Sequence, residues 1–197
     1  MKTPLLELAP EELPRAVKEI KVEPGTNRSD HRDGANRDDR VLTVRQQHDV
    51  PQAIRAISPT DPDYIDIFTL ITDDATHRSP EQWARAAFED VAGIQGQFVW
   101  RVLLGLRLKR RASPDHVAGW RIADRCDRGI RLEARSWMMT GNLVIHVEDE
   151  KVSLATIVRY DRPFAARMWS PLSALHRRLA PDLLRDAHRV QQLTKRR

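Results

Sequence analysis

Between residues 129 and 161 the chain alternates inward and outward side chains with a period of two, in three successive runs separated by short turn-forming clusters. In GIRLEARSWM, Ile130, Leu132, Ala134, Ser136 and Met138 share one face, while Arg131, Glu133, Arg135 and Trp137 share the other. GNLVIHVED repeats the pattern with Leu143, Ile145 and Val147, and KVSLATIVRYD with Val152, Leu154, Thr156, Val158 and Tyr160. Such a period marks half-buried antiparallel strands. Thr140-Gly141-Asn142 and the stretch Glu148 to Lys151 read as the hairpin turns between them. Upstream, VAGWRIADRCDRG supplies a further strand with Trp120, Ile122, Asp124 and Cys126 inward. A meander of this kind has one apolar face that another layer must cover.

Helices are available on both sides of it. DYIDIFTLI (63–71) is rich in β-branched and aromatic residues and forms a first strand. Ser79-Pro80-Glu81-Gln82 then gives a cap, a proline at the first helical position and a Gln three residues after the cap. Trp83, Ala84, Ala87, Phe88 and Val91 make the apolar stripe of that helix, and Gly93 ends it. QFVWRVLLGLRL (97–108) reads as a second, buried helix. After Arg162-Pro163 a final helix begins, with Phe164, Met168, Leu172, Leu175 and Leu179 inward and Trp169 and His176 on its flank. Pro171 and Pro181 predict a kinked or segmented helix, because each removes a backbone donor.

Residues 1–47 differ in kind. KVEPGTNRSDHRDGANRDDR has no apolar periodicity and cannot bury enough surface to offset ordering, so a mostly disordered tail is expected there and a folded domain over 48–197. Val41 and Val44 fall where alternative initiation codons would stand, which an intact-mass measurement tests. Nine Lys/Arg oppose nine Asp/Glu within the tail, so the net charge of +5 lies wholly in the rest. It concentrates at Arg107 to Arg111 and in the C-terminal arginines, a pattern read as a solvated basic face rather than a nucleic-acid footprint. No apolar run approaches the roughly 20 residues of a membrane span, and acidic residues replace the apolar core of a signal peptide, which predicts a cytoplasmic protein. The lone Cys126 excludes an internal disulfide and reads as a buried small hydrophobe. The histidines lack ligand spacing, and GxSxG, GxGxxG and P-loop patterns are missing, so neither a metal nor a cofactor is implied.

The element order is strand, two helices, antiparallel meander, long C-terminal helix. On that order and on DYIDIF, SPEQWARAAF, GWRI, LEARSW, VSLATIVRYDRP and MWSPLSALHRR, residues 60 to 190 resemble a bacterial family of unknown function related to the START-like, polyketide-cyclase-like (SRPBCC) superfamily. The resemblance implies an α+β helix-grip fold, a curved antiparallel sheet wrapped around the last helix with two short helices after the first strand. It also implies a cavity between sheet and helix for an apolar or aromatic small molecule, lipid or polyketide-like, and carries over no catalytic residue. Polar residues on inward faces then become candidates for orienting such a ligand. Trp120, Ser136, Thr156 and Tyr160 would form one wall, and Met168, Trp169, Leu172 and His176 the other. Two alternatives stand beside this reading. One is a cyclase- or dehydratase-like enzyme in which His176 or Asp124 moves a proton, and the other is binding of nucleic acid or an anionic membrane by the basic surface.

Overall fold

Seven strands form one antiparallel sheet among the described residues of this computed structural model, which are 43–195 apart from residues 48, 60 and 112. They are β1 (Val44–Gln47), β2 (Tyr64–Ile71), β3 (His116–Val117), β4 (Trp120–Cys126), β5 (Gly129–Arg135), β6 (Met139–Glu148) and β7 (Lys151–Tyr160). Their spatial order is β1-β2-β7-β6-β5-β4-β3. The meander from β3 to β7 is therefore closed on its far side by β2, which pairs with β7 along its whole length. With the long α4 (Phe164–Lys195) against β1, β2 and β7, the architecture is the α+β helix-grip arrangement. The described residues from Thr43 onward cluster as one compact unit. Residues 1–42 of the tail expected over 1–47 lie outside the described residues, but β1 falls inside that expected tail, paired with β2 from Val44↔Leu70 to Gln47↔Ile67. Its VRQQ sequence lacks an apolar alternation because an edge strand needs only backbone partners.

The sheet is covered on both faces at its centre. On the inner face, Tyr64, Asp66, Phe68 and Leu70 of β2 stand level with Val158, Thr156, Leu154 and Val152 of β7. On the outer face Ile67, Val144, Ala155 and Ile157 are sealed by Ile54 of α1 (Gln52–Ile57). That second layer explains why β6 is buried continuously from Met139 to Val147, since a strand sandwiched between two layers has no solvent side.

α2 (Pro80–Arg85) starts as its sequence predicts: Ser79 Oγ accepts the Gln82 N–H at 3.2 Å, and the Gln82 side chain accepts the Ser79 N–H at 2.9 Å. It widens into a π-helical stretch, Ala86–Val91, and α3 (Gly93–Phe98) widens likewise over Val99–Leu103. The second helix begins at Gly93, ahead of the expected start at Gln97, and ends at Leu103, short of Leu108, because Gly105 adopts φ +61° and the chain runs on extended with Leu106 and Leu108 buried. No described helix is long and apolar enough to cross a membrane.

The structure redraws several sequence expectations. α4 runs unbroken through Pro171 and Pro181, so it is not segmented. Its buried stripe is Ala165, Trp169, Leu172, Ser173, Ala180, Leu184 and Ala187, which places Trp169 on the packed side and leaves Phe164 40% exposed. Of the stripe expected inward, Leu172 is buried, Met168, Leu175 and Leu179 are half-buried, and only Phe164 is exposed. Strand β5 stops at Arg135, and Thr140 to Asn142 belong to β6 rather than to a turn. The true turn is centred on Ser136, whose Oγ accepts the N–H of Met138 at 3.2 Å and of Met139 at 3.1 Å. An irregularity between Ile122 and Asp124 shifts the register of β4, so Asp124 pairs with Arg131 of the outer face and is exposed. Cys126, two residues on, is exposed rather than buried.

Candidate functional site

The inner face of β2 and the middle of α4 enclose a polar cluster in otherwise apolar surroundings. Asp66 is its centre, with a side chain 3% exposed. The Tyr64 hydroxyl donates to Asp66 Oδ2 at 2.6 Å, and His176 Nε2 lies 3.3 Å from Asp66 Oδ1 and 2.9 Å from Thr156 Oγ1. A second helix residue closes the group: Arg177 donates to the Tyr64 oxygen at 3.1 Å and to Ser173 Oγ at 3.2 Å. Aromatic rings complete the wall. Trp169 meets Tyr64 edge-on at 5.2 Å and His176 at 6.0 Å, and Phe68 meets His176 at 6.1 Å.

Electrostatics fix the proton positions. An unprotonated Nε2 would point its lone pair at the Asp66 carboxylate, so Nε2 carries the proton and shares it between Asp66 and Thr156. Burial, and then the neighbouring Asp66 carboxylate, push the Tyr64 phenol well above its usual range against the opposing pull of Arg177, so it remains a neutral donor. The arrangement is not a hydrolase triad. There the carboxylate and the hydroxyl occupy opposite ring nitrogens, whereas here both sit on Nε2. No hydrogen bond engages Nδ1 among the described residues, and the His176 side chain is 22% exposed, so the free basic atom of the ring belongs to that nitrogen.

Of the residues singled out in the sequence, Thr156, Trp169 and His176 meet in this cluster, and Leu172 is buried one turn from Trp169. Met168 is only half-buried. Trp120 faces inward but belongs to another aromatic group, edge-on to Trp100 at 5.6 Å and over Gly141 of β6, where an added Cβ would lie 3.3 Å from its ring. Tyr160 ends β7, half-buried, with its phenol pushed up by burial and by Asp63. Ser136 is a turn residue and not part of a wall, and the solvent-facing Asp124 stands apart from the cluster on the outer side. Tyr64, Asp66 and Arg177 were not foreseen. The signal for Asp66 was present in DYIDIF, where the parity that buries Phe68 and Leu70 also buries the aspartate between Tyr64 and Phe68.

Two indoles of the inner face are incompletely satisfied: Trp120 Nε1 and Trp169 Nε1 are buried and lack a hydrogen-bond partner. No group of three or more His, Cys, Asp or Glu gathers for a metal ion among the described residues. No family model matches the chain, and no curated protein or solved structure matches it.

Proposed function

We propose that the chain binds an apolar or aromatic small molecule between the inner face of the sheet and α4, with the Asp66 cluster and Trp169 at the polar end of the ligand. The observation that carries this reading is the Trp169 indole, 5% exposed with its N–H unpaired beside Tyr64 and His176. A buried donor left unpaired costs about 1–3 kcal/mol, and such groups are ordinarily met by a water or a ligand. Trp120 repeats the feature on the same face. Apolar walls with a few placed polar groups are the composition of small-molecule sites. The partly exposed His176 edge marks the entrance. Pro171 gives α4 a turn about which it can lift, because it has no N–H for the Arg167 carbonyl.

Trp169→Phe tests the reading, since it keeps a ring against Tyr64 and deletes the donor. Native mass spectrometry of freshly purified protein and titration with Nile red, a neutral aromatic probe carrying acceptor atoms, are the measurements. The wild-type chain should retain an apolar molecule or take up the dye saturably, and the variant should bind about tenfold more weakly. A wild-type chain that is ligand-free and takes up no dye overturns the proposal.

A second reading, proton transfer on the bound molecule, is supported by the Asp66–His176 contact. A carboxylate on Nε2 orients the ring and leaves Nδ1 as base. His176→Gln should then preserve binding of the retained molecule while abolishing its conversion, and unchanged conversion in that variant excludes His176 as the base. Asp124, exposed on the outer side, is withdrawn from this role.

A further inference from the structure

We infer that a basic groove beside the β3–β4 turn, separate from the Asp66 cluster, is a binding site for a phosphate-bearing anion. The groove holds about 420 Å³ and is lined by Arg101, Lys109, Arg110, Arg111 and His116, with Glu89 the only acid of the lining among the described residues and Asp115 acting on His116 from beside it. Glu89 is already engaged, because its Oε1 accepts the Ala118 N–H at 2.9 Å and Arg85 Nη1 at 3.0 Å. The cations have no such counter-charge. Arg101 donates only to neutral oxygens, Gln97 Oε1 at 2.6 Å and the carbonyls of Leu108 at 3.1 Å and Lys109 at 3.0 Å. Among the described residues no carboxylate pairs with Arg101, Lys109, Arg110 or Arg111. The C-terminal arginines differ, for Arg185 and Arg189 each bond an aspartate one turn back. Uncompensated like charges around one concavity raise the local potential and attract an anion.

The groove is also built rather than loose. Ala118 and Gly119 adopt φ +50° and +88°, and a left-handed alanine is held only where its surroundings insist on it. Glu89 holds its N–H, and Gln97 Nε2 holds its carbonyl at 2.7 Å. Lys109 N donates to the Gly119 carbonyl at 2.9 Å, so the cationic run starts from a fixed backbone point. His116 contributes a buried Nδ1 with no partner. Burial first, and then Lys109, against the opposing Asp115 carboxylate and with a further push from Arg121, hold that imidazole below its usual range, so it reports on charge arriving in the groove.

A phosphate group answers this chemistry, with several negative oxygens for closely spaced cations. It can come from a free phosphorylated compound or from a lipid headgroup. The second source is suggested by Ile94, Phe98 and Val102, which stand exposed one turn apart along α3 and its continuation, beside Gln97 and Arg101 of the groove.

Inorganic pyrophosphate is the first probe, titrated into the full chain at low salt while the His116 ring resonances are followed by NMR. A saturable shift is expected, weakened at least about tenfold by the combined Lys109→Gln, Arg110→Gln and Arg111→Gln substitutions and little changed by Arg178→Gln, an exposed arginine on α4. All three substituted side chains are exposed, so folding is not at stake. Vesicles of phosphatidylglycerol against phosphatidylcholine form the second arm. Selective binding to phosphatidylglycerol that pyrophosphate displaces assigns the headgroup, and a pyrophosphate response without vesicle binding assigns a free phosphate compound. An unmoved His116, a triple variant that binds as wild type, or vesicle binding indifferent to both pyrophosphate and the triple variant overturns the inference.

Discussion

Asp66 spends both carboxylate oxygens on Tyr64 and His176 inside the grip of sheet and helix, whereas Arg110 and Arg111 are exposed and pair with no carboxylate among the described residues. In the first region the polar groups satisfy one another and are shielded, so removing one leaves its partners stranded. In the second, the Lys109, Arg110 and Arg111 charges keep their hydration, and what is held tightly is Arg101 and the backbone beneath. Variants at the cluster should therefore register in stability, and variants of the groove charges in binding.

The largest effect is expected at Asp66. Asp66→Ala leaves the Tyr64 hydroxyl and the His176 N–H facing a cavity, at a cost of about 3 kcal/mol. For a chain of this size that lowers Tm by about 6–12 °C. Asp66→Asn, which keeps one acceptor oxygen, should recover about half of the loss in urea unfolding. Equal losses in the two variants would mean that the cavity, and not the hydrogen bonding, decides.

Gly119→Ala comes next and probes the other region through its backbone. A Cβ there would lie 2.5 Å from the Lys109 carbonyl on a residue already at φ +88°, so about 2 kcal/mol should be lost although no charge changes. The same variant should blunt the His116 response to pyrophosphate, because the fixed start of the cationic run is displaced.

The two regions should also fail at opposite ends of the pH scale. The Tyr64 phenol is raised in the fold, so its contribution is complete below the unfolded value of about 10 and is lost as pH climbs past it. His116 is lowered, so its contribution is complete above about 6.5 and is lost as pH falls from there toward the folded value. His146, lowered chiefly by burial, adds to the acid limb. Below it follows Glu133, whose burial is outweighed by Arg121, Arg135 and Arg131, so that its carboxyl is held below the usual range and its stabilisation is lost as it protonates. Urea midpoints against pH should show both limbs, with Tyr64→Phe reducing the alkaline one, to which the raised Tyr160 also contributes, and Lys109→Gln, which raises His116, shrinking the acid one.

What was legible follows the same division. Strict alternation placed Leu143, Ile145, Thr156 and Val158 on the inner face, because a strand's parity survives any tertiary context that keeps it a strand. Parity fails where one residue is inserted, and the irregularity at Ala123 moved Asp124 to the opposite face from the one it reads on. The turn failed for a related reason: Ser136 satisfies a strand pattern and a turn equally well, and only its bonds to Met138 and Met139 decide. On α4 two stripes satisfy helical spacing, one large and apolar from Phe164, one of alanines with Trp169. The structure buries the second most deeply and keeps Leu172 of the first, because the helix packs on the Ala86–Val91 stretch as well as on the sheet, and spacing alone does not show that second surface. The groove was illegible as a site, since Gln97, Lys109 and Gly119 converge only through a left-handed turn.

The smallest expected effect is also the sharpest separation of the two regions. Arg110→Gln removes an exposed charge that pairs with no carboxylate among the described residues and lies beside like charges at Lys109 and Arg111, so stability should change by less than about 0.5 kcal/mol. Relief of repulsion makes the sign a gain at low salt, and it should vanish at high ionic strength as the three charges are screened from one another. A loss of stability that persisted in salt would mean that Arg110 is bonded within the fold, and the groove would then resemble the closed cluster it is contrasted with.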